Sequence, residues 1–308
     1  MCDQRLMEII PVVEQYPGFV LAISGLHLAC SLLSTTGNVM VIQALWKASS
    51  IPSNLKILFS SLAIADLATG LLPQPMLGII FTVMTATSEK GNNRFDIFCP
   101  TVLNIGYFSF VFLASASFLT VTIISVDRLL AVSLHLRYQE LVTFKRVVVV
   151  LVSIWMASIV AATIFVTLPR HNNIAPAIIE IVGLIFTSVA YGRIYKVVKY
   201  HQNQIQSQLA LPNIQAEKLL REKKSALSAM FVYIVLVACY LPNLCCEMFW
   251  LTSWGGTTIL MAEHVSFFLV LLNSVLNPVI YCWRYREIRV IMNNRVNNVF
   301  RKLCGPPN

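Results

Sequence analysis

An acid and an arginine stand side by side at the end of a long apolar run. The run begins at Val102 and carries no charged residue before Asp127 and Arg128. Charged groups are costly within a bilayer unless they pair with each other or face protein and water. One interpretation is a switch, in which carboxylates hold Arg128 in one state and release it to a partner in another. The alternative is that the pair only marks the cytoplasmic edge of a membrane span.

Four polar residues lie within the apolar stretches of the chain in a way that suggests a shared site. They are Asp66, Ser117, Asn273 and Asn277. The two asparagines are four residues apart, so they share one face of a helix. Carboxylate, hydroxyl and amide oxygens suit a small hard cation such as sodium. These residues predict a partly hydrated network at mid-membrane, with or without an ion; the alternatives are a protonated, hydrogen-bonded Asp66 and isolated contacts between helices.

Composition places the chain in a membrane. It has 308 residues, of which 57% are hydrophobic and only 12% are charged. The mean hydropathy is +0.71, and soluble domains carry about 25% charged residues. The net charge of +9 could indicate a nucleic-acid partner, but the position of the charges along the chain favours a membrane protein and no nucleic acid.

Seven apolar segments organise the chain, and each is long enough to cross a bilayer, which takes about 20 residues. Lipid requires each segment to satisfy its own backbone hydrogen bonds, so each is expected to be a helix. The predicted spans are about 18–46, 57–84, 102–129, 147–168, 174–198, 222–251 and 259–283. We therefore predict an all-α membrane protein, a seven-helix bundle forming a single domain over residues 1–308.

The last stretch of the chain, residues 285–303, has the pattern of an amphipathic helix lying on the membrane surface. Cys304 follows it directly and is either a palmitoylation site or an unmodified thiol. The lipid bilayer is thus an expected partner of the tail as well as of the spans.

The distribution of charge predicts the orientation. Of the 23 Lys and Arg residues, only Arg5, Lys90, Arg94 and Arg170 fall on the same side as the N-terminus. Basic residues tend to remain cytoplasmic. The N-terminus is therefore expected outside the cell, and the C-terminus and Arg128 at the cytoplasmic face.

In order along the spans, the residues resemble the rhodopsin-like (class A) family of G-protein-coupled receptors. The matching motifs are Gly37-Asn38-Val39, Leu62-Ala63-Ile64-Ala65-Asp66, Asp127-Arg128, Trp155, Tyr191, Cys239-Tyr240-Leu241-Pro242 and Asn277-Pro278-Val279-Ile280-Tyr281. Any one of these motifs is weak, whereas all of them in order, each in its own span, are specific.

The resemblance implies a role for each matching residue in coupling to a heterotrimeric G protein. Arg128 looks like the arginine that meets the G protein, and Glu222 matches the acid that holds it at rest. Leu136 looks like the apolar residue that docks into the G protein. Tyr191 and Tyr281 match tyrosines that swing inward on activation.

The resemblance also implies roles inside the bundle. Asp66, Ser117, Asn273 and Asn277 match the family's sodium site, the one cofactor expected here. The residues that match the family's structural network are Asn38, Trp155, Pro242 and Pro278.

Departures from the family pattern narrow the resemblance. Leu129 stands in place of the usual tyrosine, Tyr240 in place of the usual tryptophan and Gly183 about where a proline is usual. The segment 169–176 contains no cysteine for the usual outer disulfide. These features look like the cluster of melanocortin, cannabinoid and adenosine receptors.

Several classes of ligand are disfavoured by residues that the sequence lacks. Phe110 stands where aminergic receptors carry an aspartate, and residues 259–281 contain no lysine of the kind that binds retinal in opsins. The acids of the melanocortin peptide site are also missing from the second and third spans. The remaining candidate pocket residues are Phe110, Glu180, Tyr240, Glu247, Glu263 and His264. They suit a small ligand or short peptide with a cationic group; alternatively, Glu247 and Glu263 are solvated residues at the edge of a loop.

Three other functions compete with a ligand-activated receptor. A transporter or channel tends to show inverted repeats, and no internal repeat is visible. An enzyme within the membrane would need paired acids, a metal cluster or a nucleophile beside a base, and none of these patterns is present, so no catalysis is expected. A non-signalling decoy receptor of the same fold remains an alternative, given the departures at Leu129 and Tyr240.

Overall fold

The computed structural model describes residues 2–88, 101–134, 137–168, 174–207, 231–249 and 256–304. In this part of the chain the regular structure is helical and no strand occurs. The helices are α1 (Cys2–Gln15), α2 (Pro17–Lys47), α3 (Ser53–Leu71), α4 (Pro73–Ser88), α5 (Thr101–Leu134), α6 (Tyr138–Leu141), α7 (Phe144–Thr167), α8 (Ile174–Ser207), α9 (Phe231–Phe249), α10 (Thr257–Arg284) and α11 (Arg286–Cys304).

Seven stretches of the described chain are long and apolar enough to cross a membrane. They are α2, α3 with α4, α5, α7, the first part of α8, α9 and α10. The predicted all-α fold with seven spans is confirmed. The predicted surface helix at 285–303 corresponds to α11, which buries Ile288 and Met292 on one face.

The third span, α5, is the central helix of the bundle. Of its most apolar window, 72% is buried inside the protein, compared with 33–56% for the other six spans. It packs against α3, α4, α7, α8 and α10. A residue on α5 can therefore contact most of the bundle, which is why Ser117 and Arg128 are well placed to link distant helices.

The second span is divided into two helices. Leu72 ends α3, its N–H bonding to the carbonyl of Ala68, and Pro73 begins α4. The residue before a proline is sterically disfavoured in helical conformation, so a helix commonly ends there. The sequence predicted one continuous span over residues 57–84, so this division is a difference from the prediction.

Small residues let α2 approach the second span closely. A Cβ added at Gly70 would lie 2.9 Å from the backbone N of Thr35. The Ser31 hydroxyl donates to the carbonyl of Gly70 at 2.7 Å, and the Ser24 hydroxyl donates to that of Gly78 at 2.6 Å. Small residues with interhelical hydrogen bonds are the usual basis of helix packing in membranes.

An additional helix precedes the first span. Ile9, Val12 and Val13 of α1 are buried, and α1 packs against α2, α4 and α10. None of the seven predicted spans includes this helix. The apolar residues at 9, 12 and 13 follow helical spacing, which was the available signal.

At the other end of the bundle, α11 is fastened to the turn between α2 and α3. The Glu287 carboxylate accepts hydrogen bonds from the N–H groups of Ser49 at 2.7 Å and Ser50 at 3.0 Å. The hydroxyls of both serines also donate to it. Glu287 thus fixes α11 beside the turn between α2 and α3.

Candidate functional site

Arg128 lies near the end of α5, and its neighbour Asp127 holds its guanidinium. Nε of Arg128 donates to Oδ2 of Asp127 at 2.9 Å, and Nη2 donates to the same oxygen. The Asp127 side chain is 4% exposed and that of Arg128 is 23% exposed. The pair is therefore anchored on its acidic side and accessible on its basic side.

A second group holds Asp127. The Tyr138 hydroxyl, on the short helix α6, donates to Oδ1 of Asp127 at 2.7 Å. Partial burial and this hydrogen bond raise the pKa of Tyr138 to about 12. The phenol therefore stays protonated and remains a donor at any physiological pH.

The guanidinium of Arg128 lines a basic cavity at its end of the bundle. The cavity has a volume of about 1070 Å³ and is bordered by the turn between α2 and α3, the end of α10 and α11. Its cationic lining residues are Lys47, Arg128, Arg284, Arg286 and Arg289. Glu222 and Leu136, the other two residues expected here, lie outside the described residues.

The two tyrosines expected to move on activation are buried near this end. Tyr191 is 6% exposed and forms a small cluster with Ile194, Leu129 and Tyr233. Tyr281 is 4% exposed, and its hydroxyl has no hydrogen-bond partner in the described structure. Its ring packs against Phe59 at a centroid distance of 4.9 Å.

The mid-membrane polar residues converge on Asp66, which is fully buried. The Ser117 hydroxyl donates to Oδ1 of Asp66 at 2.9 Å, and Nδ2 of Asn277 donates to Oδ2 at 2.7 Å. Asn273 is 3% exposed, and its Nδ2 has no described partner. The structure therefore joins α3, α5 and α10 through one carboxyl group.

These residues fit the donor set of a sodium site. Carboxylate, hydroxyl and amide oxygens are available from three helices, and they are the ligands that hard cations prefer. The amide of Asn277 presents its NH₂ group to Asp66. Oxygen and nitrogen of an amide are assigned from the hydrogen-bond network, so a cation bound here would turn the amide oxygen inward.

Asn38 extends this network to α2. Its Nδ2 donates to the carbonyls of Ser34 at 2.9 Å and Ser274 at 3.0 Å. Gly37 lets α2 come this close, because a Cβ there would lie 3.0 Å from Cγ of Pro278. Asn38 and Ser34 thus link α2 to α3 and α10, since the Ser34 hydroxyl also donates to the carbonyl of Asp66.

The two remaining residues of the expected structural network lie apart from Asp66. Trp155 joins α7 to α3, its Nε1 donating to the Ser61 hydroxyl at 3.0 Å. Pro242 is part of α9, where it cannot donate a helical hydrogen bond.

Toward the α1 end of the bundle, a buried pair of acids forms a second polar centre. We call Glu180 of α8 and Glu247 of α9 the acid pair; they are 7% and 6% exposed. Nδ2 of Asn243 donates to Oε1 of Glu180 at 2.9 Å and to Oε1 of Glu247 at 3.1 Å. Its Oδ1 accepts from the Ser266 hydroxyl of α10 at 3.2 Å. Glu247 is therefore not a solvated residue at the edge of a loop.

The acid pair lines a small cavity, which we call the acid cavity. Its volume is about 20 Å³, room for only one or two water molecules. Aromatic side chains form much of its wall, namely Phe110, Phe118, Phe165, Tyr240 and Phe267. A ligand larger than water requires the surrounding helices to move apart.

Phe118 fills the floor of the acid cavity and contacts Tyr240, with ring centroids 4.5 Å apart. It also occupies the space beside Gly183, where an added Cβ would lie 2.2 Å from Cε1 of Phe118. The absence of a side chain at Gly183 is therefore what admits the phenyl ring.

Two of the expected pocket residues lie elsewhere. His264 is buried against α1, in a separate small cavity that Ile9, Val12 and Phe81 also line. Glu263 lines neither this cavity nor the acid cavity. Of the predicted pocket residues, the structure brings together Phe110, Glu180, Tyr240 and Glu247.

Comparison with known proteins shows a family likeness. A model described as "7 transmembrane receptor (rhodopsin family)" matches residues 37–181. Melanocortin receptor 4 of Danio rerio is 23% identical over 295 residues, which cover 91% of this chain and 82% of that receptor. The chain is similar to the rhodopsin family of seven-transmembrane receptors.

Similarity to the rhodopsin family implies G-protein-coupled signalling, an extracellular ligand and a multi-pass location in the plasma membrane. It indicates a receptor, whereas enzymes are not typical of the family. Neither a transporter or channel nor a decoy is favoured by these similarities.

Three contributors to these sites were missed from the sequence. Asn243 precedes Glu247 by four residues, a helical spacing that could have revealed it. Ser34 likewise precedes Asn38 by four. Tyr138 gave no such signal, because its bond to Asp127 depends on how the chain turns after α5.

Proposed function

We propose that this protein is a ligand-activated receptor whose Arg128 end activates a heterotrimeric G protein. The observation that carries the proposal is the placement of Arg128. It is clamped on one side by Asp127 and faces a basic cavity on the other. A guanidinium in this position can be withdrawn from its carboxylate and offered to a protein segment entering the cavity.

The Arg128 end is then the cytoplasmic face, with the N-terminus outside and the C-terminus inside. The positive lining of the basic cavity supports this orientation, since basic residues favour the cytoplasmic side. In this arrangement α11 lies along the inner leaflet, and a palmitoyl group on Cys304 would add to its attachment.

Small energies suffice for a two-state switch. An ion pair near a surface contributes about 1 kcal/mol, or more when partly buried. A ligand with a few kcal/mol of differential affinity for the two states can therefore reverse the equilibrium. By the family resemblance, Glu222 adds to the hold on Arg128, Leu136 docks into the G protein, and Tyr191 and Tyr281 rearrange on activation.

Asp66, Ser117, Asn273 and Asn277 would hold a sodium ion in the resting state. The bound ion would supply a positive charge that keeps α3, α5 and α10 together around Asp66. The hydrogen bonds of Ser117 and Asn277 to Asp66 support this role, because they already place the ligands around one carboxylate.

The ligand is an extracellular small molecule or short peptide with a cationic group, received at the acid cavity. Melanocortin receptor 4 is a similar protein by sequence, but the acids here lie on α8 and α9 rather than on the second and third spans. We therefore propose a ligand other than a melanocortin peptide.

The deciding experiment is guanine-nucleotide exchange on purified heterotrimeric G proteins, with the receptor in lipid nanodiscs. Wild-type receptor should accelerate exchange without ligand to a measurable basal level, and Arg128→Ala should abolish the acceleration. Arg146→Ala is a control, because Arg146 is exposed on α7. Equal exchange with wild type and Arg128→Ala would refute the proposal.

Glu222→Ala should raise ligand-free exchange, because one of the acids expected to hold Arg128 is removed. The comparison is made at matched surface expression. If ligand-free exchange does not increase, Glu222 is not one of the acids that hold Arg128 in the resting state.

A further inference from the structure

The acid pair has hydrogen-bonding capacity that the protein does not use. Each carboxylate accepts from Asn243 with its Oε1, while Oε2 of Glu180 and Oε2 of Glu247 have no partner in the described structure. Both side chains are more than nine-tenths buried. A buried acceptor without a donor is costly, so an arrangement with two of them calls for a donor from outside.

The pair also lacks a cationic partner. Among the described residues, the ion pair of Asp127 with Arg128 is the only one present, so neither Glu180 nor Glu247 has a cationic partner there. Two neighbouring buried carboxyl groups do not both ionise unaided, and a cation between them favours the charged forms by offsetting their mutual repulsion and their loss of hydration. The missing partner is therefore positively charged as well as a donor.

One cationic group can reach both acids at once. Their Oε1 atoms bond to the same nitrogen of Asn243, so two hydrogen-bond lengths, about 6 Å, is the most that separates them. The neutral NH₂ group of Asn243 already donates one hydrogen to each acid. A ligand head with two or more N–H bonds can likewise donate one hydrogen to each acid.

We propose that the acid cavity selects organic cations by their N–H bonds, and that a primary ammonium or a guanidinium attached to an aromatic or aliphatic body binds by donating to Glu180 and Glu247 together. A quaternary ammonium has the same charge but no hydrogen to donate. The aromatic side chains of the wall suit the apolar body of such a ligand once the helices move apart to admit it, since Phe110 and Phe267, with ring centroids 4.8 Å apart, now pack against each other.

This inference rests on the proposed function only in taking the acid cavity as the ligand site, and its test needs no G protein. Purified receptor is heated with four probes that share a phenyl ring. They are 2-phenylethylammonium, 2-phenylethylguanidinium, trimethyl(2-phenylethyl)ammonium and 3-phenylpropionate. The measurement is the shift in unfolding temperature as each probe is titrated into the millimolar range.

The ammonium and guanidinium probes should stabilise the receptor, whereas the carboxylate should not. The quaternary probe should need a concentration roughly tenfold to a hundredfold higher, because a hydrogen bond to a charged group carries about that factor in affinity. Equal stabilisation by the quaternary probe would overturn the proposal in favour of recognition by the aromatic rings alone. No shift with either N–H probe would overturn it as well.

Glu180→Gln and Glu247→Gln provide the second arm. Each keeps the shape of the side chain and removes its charge, so each should weaken the N–H probes by roughly tenfold or more. Glu263→Gln is the matched control, since Glu263 is an acid on α10 that does not line the cavity. Retained affinity in both cavity variants, or an equal loss in Glu263→Gln, would contradict the proposal. If the probes bind as expected but the receptor does not accelerate nucleotide exchange, the proposed function is refuted and this inference stands.

Discussion

Arg128 and Asp127 are neighbours in sequence, so their ion pair requires no movement of helices to form. It constrains the guanidinium all the same, because Asp127 is itself fixed by the hydroxyl of Tyr138. The side chains of Arg128, Asp127 and Tyr138, from α5 and α6, are thus hydrogen-bonded in series. The strength with which they hold the guanidinium depends on the charge of Asp127 more than on the shape of that residue.

Asp127→Asn should raise ligand-free nucleotide exchange by roughly fivefold, the factor that corresponds to losing about 1 kcal/mol of hold on Arg128. Asp127→Glu keeps the carboxylate and should remain close to wild type. The assay is exchange on purified G protein at equal receptor concentration. If ligand-free exchange is the same with Asp127→Asn as with wild type, Asp127 does not restrain Arg128.

Gly183→Ala should disturb the floor of the acid cavity. The new methyl group would overlap Phe118 at 2.2 Å, so the ring must move away from its position against Tyr240. Overpacking of this kind costs about 1–3 kcal/mol and should lower the unfolding temperature by several degrees. Gly192→Ala, on the same helix with nothing within 4 Å, is the control and should unfold like wild type. Equal unfolding temperatures for the two variants would mean that the ring has another place to go.

The sequence predicted single residues well where their chemistry was conspicuous. Asp66 within an apolar segment, and Asn273 and Asn277 at helical spacing, predicted one polar centre. In the structure, the side chains of Ser117 and Asn277 donate hydrogen bonds to Asp66. Glu263 could not be separated from Glu247 by the sequence, because both are acids that could lie at the edge of a loop. Which acids are buried together depends on how α8, α9 and α10 rotate, and that is set by packing across the bundle.

At the scale of single helices, α11 is attached by its buried residues Ile288 and Met292 and by the hydrogen bonds of Glu287. Hydrogen bonds from the Ser50 hydroxyl and from the N–H groups of Ser49 and Ser50 lower the pKa of Glu287 to about 2. A depressed pKa means that the carboxylate favours the docked helix above its usual pKa of 4.5 and that this contribution is lost as the pH falls through about 2. The attachment should therefore be constant across the physiological range.

Glu287→Ala should loosen α11 from the turn between α2 and α3. The amides of Ser49 and Ser50 lose their acceptor, so their hydrogen exchange should speed up several-fold at pH 7. Glu140→Ala, an exposed acid of α6, should leave these amides unchanged. Wild-type protection of the two amides should be level between pH 5 and pH 8 once the intrinsic exchange rate is corrected; a decline within that window would contradict an ionised Glu287.

The helices themselves were predictable where their apolar length was unambiguous, as for α7. The division between α3 and α4 was signalled by Pro73 but not resolved, because a proline inside a membrane span can also bend a continuous helix. The short helix α1 was missed because charged and apolar residues alternate through it. Its buried face becomes apparent only when α2, α4 and α10 are present to cover it.

At the scale of the whole molecule, α1 is the element whose role is least fixed by the bundle. Seven spans can satisfy their own packing, yet α1 adds Ile9, Val12 and Val13 to the core at the end opposite Arg128. It thereby covers the region around Phe81 and His264. Its docking should be separable from the folding of the spans.

Replacing Val12 and Val13 together by asparagine should undock α1, because two buried apolar side chains become polar groups without partners. Hydrogen exchange within residues 9–15 should become fast while protection of α5 is retained. Glu14→Asn, at an exposed position of the same helix, is the control. A loss of protection throughout the bundle would show instead that α1 is part of a single cooperative unit.

The attachment of α11 through Glu287 has a consequence for regulation by covalent modification. Ser49 and Ser50 are both exposed, and both use their hydroxyls to hold the carboxylate. A phosphate ester on either serine would remove that donor and set about two further negative charges against Glu287. Phosphorylation by a kinase would therefore replace the hydrogen bonds to Glu287 by charge repulsion and release α11 from the turn between α2 and α3.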